Sequence, residues 1–225
     1  METLDTPSPA FLPLWARLRG HGYVWHRTSL SALPGILRDG AIVPNHGQLP
    51  TTFSQSEGSY SRHLGAVSLF DFDTEVESRI FDQKWKWARV LIARLPGTVV
   101  IRIRRDMLDR TKLILPTEIT CGDPRLAPLT DEIRQMRMVI PAVEALYMDR
   151  IPTDAFSGFM MTAFGDMGAY LFQEVDLSDN ALHILSRIST EWITEHEKRV
   201  AERHARCDFT FAEIVEMSID APKPI

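Results

Sequence analysis

The chain has 225 residues, 44% of them hydrophobic, and sets 25 basic side chains against 30 acidic ones for a formal net charge of −5. That length can bury one sizeable core and lies near the upper end for a single domain. A net negative charge gives no global positive field to attract nucleic acid or an anionic membrane surface, so contact with either requires a local patch.

The opening METLDTPSPAF has neither a basic start nor an apolar run, and no window approaches a spanning helix. The expectation is a cytoplasmic protein with no membrane partner and a flexible first segment, residues 1–10. Cys121 and Cys207 lie far apart and fit neither a disulfide framework nor paired metal ligands, so no metal site is expected from them.

Leu12, Trp15 and Leu18 recur at helical spacing over residues 11–19, and Gly20 and Gly22 end that segment. Tyr23 to Thr28 is β-branched and aromatic and reads as a strand, followed by a helix from Ser29 to Gly40. Residues 44–65 carry almost no apolar period and read as a long loop holding Tyr60, Arg62 and His63. Ala66 to Phe72 reads as a buried strand, Glu75 to Ala93 as a helix, and Thr98 to Arg104 as a half-buried strand with Arg102 and Arg104 on one side.

Pro116, Gly122, Pro124 and Pro128 make the next stretch irregular. Val143 to Met148 reads as a strand and Asp154 to Met161 as a short helix. From Asn180 to about Arg206, Leu185, Ile188 and Trp192 mark an amphipathic helix with Glu195 and Arg199 on its wet side. Residues 11–178 then form the main domain, and 179–225 a C-terminal helical extension packed on it.

Helices interleaved with short strands, without a regular βαβ rhythm, predict an α+β fold rather than a doubly wound one. There is no GxGxxG after a strand, no GxxxxGK[ST], no HExxH and no GxSxG. What remains is polar residues inside apolar strands. A half-buried imidazole at His26 needs partners for two nitrogens, and Glu144 costs desolvation unless it faces a polar cleft. A core histidine bonded to backbone and a solvent-facing carboxylate are the structural alternatives.

The string YVWHRTSLSALPGILRDGAIVPN resembles the N-terminal motif of ADP-ribosyltransferase-fold proteins of the DNA-modifying toxin type, and of the related RNA 2′-phosphotransferases. In that motif a strand ending in His-x-Thr runs into a helix closed by an apolar-Gly-apolar turn. VEALYMDRIP resembles the family's closing segment, where a catalytic Glu on a strand precedes Ile-Pro and a short helix. GAVSLFDF matches a central strand more loosely.

The resemblance implies a mixed or antiparallel split sheet flanked by helices, with NAD as substrate. It makes Glu144, His26 and Tyr60 the catalytic set. Glu144 is the catalytic carboxylate, His26 holds the ribose, and Tyr60 stacks on the nicotinamide. His26, Arg27, Thr28, Arg38, Tyr60 and Arg62 are the expected NAD contacts, the arginines serving its phosphates. The acceptor is a nucleic acid or a protein, the setting a toxin or phage-defence effector, and the further partners an antitoxin or a second copy of the chain.

Two alternatives stand beside this reading. One is a catalytically silent module of the same fold that binds NAD or ADP-ribose. The other is a metal-dependent nuclease built on Asp71, Asp73, Glu75 and Glu77, which also read as an acidic helix start.

Overall fold

The computed structural model describes residues 11–19, 22–48, 58–73, 91–92, 98–136, 140, 142–164 and 170–206. The expected helix at 75–93 lies outside the described residues except for Leu91 and Ile92. Glu75, Glu77, residues 1–10 and Cys207 lie outside them entirely.

Helix α1 (Phe11–Leu18) buries Leu14, Trp15 and Leu18; Trp15 and Leu18 belong to the expected stripe, Leu14 does not, and the Leu12 side chain lies outside the described residues. Strand β1 (Tyr23–Thr28) follows, then α2 (Leu33–Arg38) and the short β2 (Ala41–Ile42). The expected helix at 29–40 is therefore shorter. The Ser29 hydroxyl accepts from the Ala32 amide and holds residues 29–32 as a turn.

Helix α3 (Tyr60–Leu64) lies inside the segment expected to be a loop. Its spacing is too short to show a period, but its caps explain it. Ser59 accepts from the Arg62 amide at the start, and Gly65 ends it with φ of 62°.

Strand β3 (Val67–Phe70) and β4 (Thr98–Arg104) come next, then a 3-10 turn at Arg105–Met107 and β5 (Leu113–Ile114). The stretch read as irregular holds α4 (Pro116–Cys121), a 3-10 turn at Pro124–Leu126 and α5 (Asp131–Met136). Pro116 and Pro124 sit at helix starts, where a missing amide proton costs nothing, and Pro128 lies in the turn that follows.

Strands β6 (Glu144–Tyr147) and β7 (Ile151–Pro152) lead to a 3-10 turn at Thr153–Ala155 and then to β8 (Phe156–Phe164). The expected helix at 154–161 is thus a strand. Phe159, Met160 and Met161 are all buried because β8 is covered on both faces, and such a strand reads as an unbroken apolar run with no period of two. β9 (Tyr170–Val175) and α6 (Ala181–Arg206) complete the order.

Seven strands form one sheet in the order β5-β6-β3-β1-β4-β8-β9, each pair antiparallel, and β2 pairs with β7 apart from it. The fold is α+β. One face packs Val24, Leu69, Ile101 and Phe159 under α2 and the first turns of α6, through Leu33, Leu185 and Ile188. The other packs Trp25, Phe70, Val100 and Met160 under α1, with the Trp25 indole donating to the Leu18 carbonyl at 3.0 Å. A smaller cluster of Tyr60, Ile114, Leu126 and Leu146 covers the β5 end. No helix among the described residues is long and apolar enough to cross a membrane.

Candidate functional site

β1 pairs with β4 all the way from Tyr23↔Arg104 to Thr28↔Val99, whereas its ladder with β3 is confined to Trp25↔Phe70. β3 meanwhile stays paired with β6 from Val67↔Tyr147 to Phe70↔Glu144. The sheet therefore opens along a seam between β1 and β3, toward Thr28 and Val67. Ladder groups along such a seam need other partners.

His26 fills that need. Its Nδ1 lies 2.9 Å from the Ser68 carbonyl oxygen, and because a carbonyl only accepts, Nδ1 carries the proton. Burial, and to a lesser extent the charge of Arg27, lower the His26 pKa against the raising effect of the Ser68 bond. The ring is then neutral at pH 7, with Nε2 left as a lone-pair acceptor.

Glu144 opens β6 and is only 5% exposed. Its Oε1 accepts from the Ser68 hydroxyl at 2.8 Å and its Oε2 from the Ile140 amide at 2.7 Å. The Glu144 amide in turn donates to the Ile140 carbonyl, so backbone and side chain close the same turn. Ala142, inside that turn, has φ of 68°, a left-handed conformation costly for a residue with a Cβ. Burial raises Glu144 to about 7 despite the lowering effect of both bonds.

Strand alternation fixes which groups share a face. Trp25, Phe70 and Glu144 stand in one row across the sheet, so Ser68 and Arg27 lie on their side. His26 belongs to the opposite side. The imidazole and the carboxyl do not touch; each meets Ser68 from its own side, one at the carbonyl and one at the hydroxyl.

Ser68 is a site residue that the motifs do not mark. Its signal was present: a small polar residue inside the apolar strand VSLF raises the same question of desolvation that marks His26 and Glu144.

The other expected site residues are placed as follows. Arg27 lies opposite Val100 on β4, and burial lowers its guanidinium to about 9, which leaves it charged at neutral pH. Thr28 is buried. Arg38 is largely exposed and pairs with its exposed neighbour Asp39 at 2.9 Å. Tyr60 is 7% exposed within the β5-end cluster and its hydroxyl donates to the Arg134 carbonyl at 3.2 Å. That is the placement of a core anchor, with no open ring face for a nicotinamide. Arg62 donates to the Gly47 carbonyl through Nη2 at 3.4 Å.

The acidic and basic clusters are paired within the fold. Asp71 is 1% exposed, lies 3.3 Å from Arg105 Nη1, and accepts from the Asp73 amide. Its counter-charge is a guanidinium, and among the described residues no group of three or more His, Cys, Asp or Glu is placed to hold a metal ion. Arg102 is bound to Ser157 and stacked near Tyr23, while Arg104 donates to the Asp154 carbonyl.

No protein-family model matches the sequence, and no curated protein matches it in a sequence search.

Proposed function

We propose that this protein is an NAD-dependent ADP-ribosyltransferase acting on a macromolecular acceptor, nucleic acid or protein. The observation that carries the reading is a buried carboxyl, Glu144, held by Ser68 on the strand next to an opened seam whose other lip bears His26 and Arg27. Burying a carboxyl costs several kcal/mol unless it is hydrogen-bonded or protonated, and groups shifted by burial concentrate at functional sites. The motifs at residues 22–45 and 139–156 supply the substrate class.

NAD brings a ribose–nicotinamide bond whose breaking builds positive charge on the sugar. An ionised Glu144 stabilises that charge more than the ground state. Ser68 and Ile140 occupy two of the roughly four acceptor positions of a carboxylate, so lone pairs remain for a further donor. His26 Nε2 accepts a hydrogen bond from a second hydroxyl, and Arg27 places positive charge on the Glu144 side of the sheet. A ligand that meets both His26 and Glu144 must enter the seam itself.

The test is nicotinamide release from NAD by the purified protein, compared with Glu144→Gln. The reading requires release that falls by about a hundredfold or more in the variant, a loss typical of removing a group that acts only in the transition state. No release and no labelled protein or nucleic acid would sink it.

A second reading, a silent NAD-binding or ADP-ribose-binding module, is favoured by one observation. Both carboxyl oxygens already accept from the protein, and a group raised to about 7 is only half ionised at neutral pH. It requires thermal stabilisation by NAD through mass action, with no nicotinamide released.

A further inference from the structure

The seam between β1 and β3 is tied differently at its two ends. In the order β3-β1-β4, the Asp71 carboxylate just after β3 meets Arg105 Nη1, just after β4, at 3.3 Å, so one ion pair joins the two strands that flank β1. The Arg105 amide also donates to the Gly22 carbonyl, and the Asp71 amide to the Val143 carbonyl at 2.7 Å, which fastens the entries of β1 and β6 to the same point. Asp71 is 1% exposed, and removing one partner from a buried charge is costly. With the Trp25↔Phe70 bridge, these bonds gather β3, β1, β4 and β6 at one end.

The other end is held more lightly. Beyond that bridge the His26 imidazole crosses to the Ser68 carbonyl at 2.9 Å, a neutral hydrogen bond in place of a strand ladder. On the Trp25 face the apolar cluster stops at Trp25 and Phe70, and Arg27 and Ser68 come next along the two strands. On the opposite face Val67 and Leu69 join the cluster of Val24 and Leu33. A part of a fold held by few bonds opens at a lower free energy than the whole.

We propose that the sheet is hinged at this seam: β3 and β6 swing as one lip about the Asp71–Arg105 pair, and the His26–Ser68 bond is the latch that holds the lip closed. The lip moves as a unit because β3 and β6 keep their own ladder from Val67↔Tyr147 to Phe70↔Glu144, and it carries Ser68 and Glu144 with it. The latch therefore sets how far Glu144 stands from His26. Hinges of this kind, a few residues at element ends, let a fold close around a ligand. The device goes beyond the NAD reading, since it serves any ligand that enters the seam.

Thiol labelling of the folded full chain tests the hinge. Thr28→Cys and Val67→Cys put a reporter on each side of the open end, where the native side chains are 6% and 3% exposed, and Ala163→Cys puts a control in β8 at 0%. Mass spectrometry reads each peptide, with the exposed Cys121 as the fast internal standard. The two seam reporters are expected to label about tenfold or more faster than the control, at rates nearly independent of denaturant below the unfolding transition, because a local opening exposes little surface. His26→Phe, which keeps a ring and loses the donor, is expected to speed them about threefold to tenfold relative to the control, the worth of one hydrogen bond. Asp71→Asn is expected to speed the control as well, because the hinge also holds the rest of the sheet together.

Seam reporters that label in step with the control at every denaturant concentration overturn the opening. Local opening that His26→Phe leaves unchanged overturns the latch, and a control unmoved by Asp71→Asn overturns the hinge. Either seam reporter suffices if the other fails to fold. None of these readouts involves NAD, so the hinge and the NAD reading fail independently.

Discussion

Glu144 and Ser68 are diagonal neighbours on one face of the sheet: Ser68 pairs with Leu146 across β3 and β6, and its hydroxyl reaches back 2.8 Å to the Glu144 carboxyl. Diagonal partners in an antiparallel pair lie within reach of a long side chain such as Glu. A single hydroxyl thereby orients the carboxyl, while the same residue's carbonyl holds His26. One position on β3 ties together the strands on either side of it.

The first expected outcome concerns stability against pH. The folded chain holds the Glu144 proton more tightly than the unfolded chain, since its pKa rises from 4.5 to about 7. Its contribution is fully present below 4.5 and is lost as pH rises through about 7. Linkage makes this loss about 2 kcal/mol between about pH 5 and about pH 8. His26 works in the other direction: its pKa falls below 6.5, so its contribution is present above 6.5 and is lost as pH falls through the lowered value. Denaturant unfolding of the wild type and Glu144→Gln isolates the carboxyl. The wild type should lose ground to the variant as pH rises, and parallel profiles would contradict a buried acid.

Ser68→Ala removes a donor to the charged form of Glu144 and leaves the carbonyl that holds His26. The Glu144 pKa should rise further, followed by carbon-detected NMR of the carboxyl. The stability cost, about 1–3 kcal/mol for losing a partner of a buried acceptor, should be larger at about pH 8 than at about pH 5. A downward shift would mean that the hydroxyl does not donate to this carboxylate.

Tyr60→Phe deletes the hydroxyl that donates to the Arg134 carbonyl. The expected cost is about 1 kcal/mol in unfolding free energy, with NAD affinity unchanged. Loss of NAD affinity at full stability would show that the hydroxyl serves the ligand rather than the Arg134 carbonyl.

Ala142→Gly relieves a left-handed alanine in the turn before Glu144. Relief of roughly 1–2 kcal/mol, less about 0.5–1 kcal/mol for the more flexible unfolded chain, gives a net gain of up to about 1 kcal/mol. Unfolding midpoints read this directly. A clear loss of stability would show that the alanine methyl does more by packing than its backbone costs.

Some of this fold is legible in the sequence because each signal has a single physical source. The strand YVWHRT, the stripe of Trp15 and Leu18, and the helix carrying Leu185 and Ile188 all follow from which side chains must leave water. The sequence of β8 predicts a helix because burial on both faces erases the alternation that marks a strand. Helix α3 was hidden because five residues are too few to show a period. At the site, His26 and Glu144 stand out as polar residues in apolar strands, and Ser68 fits the same rule. What a single strand does not reveal is register: the seam and the opposite faces of His26 and Glu144 follow from how β1, β3 and β6 pair. The stacking role of Tyr60 comes from the resemblance alone; the Arg134 carbonyl that its hydroxyl meets lies far along the chain, where no local pattern shows it.

The central claim is that ionised Glu144 drives cleavage of NAD, and the pH dependence of kcat/KM for nicotinamide release tests it most directly, because that ratio reports the ionisation of the free protein. The rate should climb about tenfold per pH unit below about 7 and level off above it, and should collapse in Glu144→Gln. A rate indifferent to pH across that range, or undiminished in the variant, would contradict it.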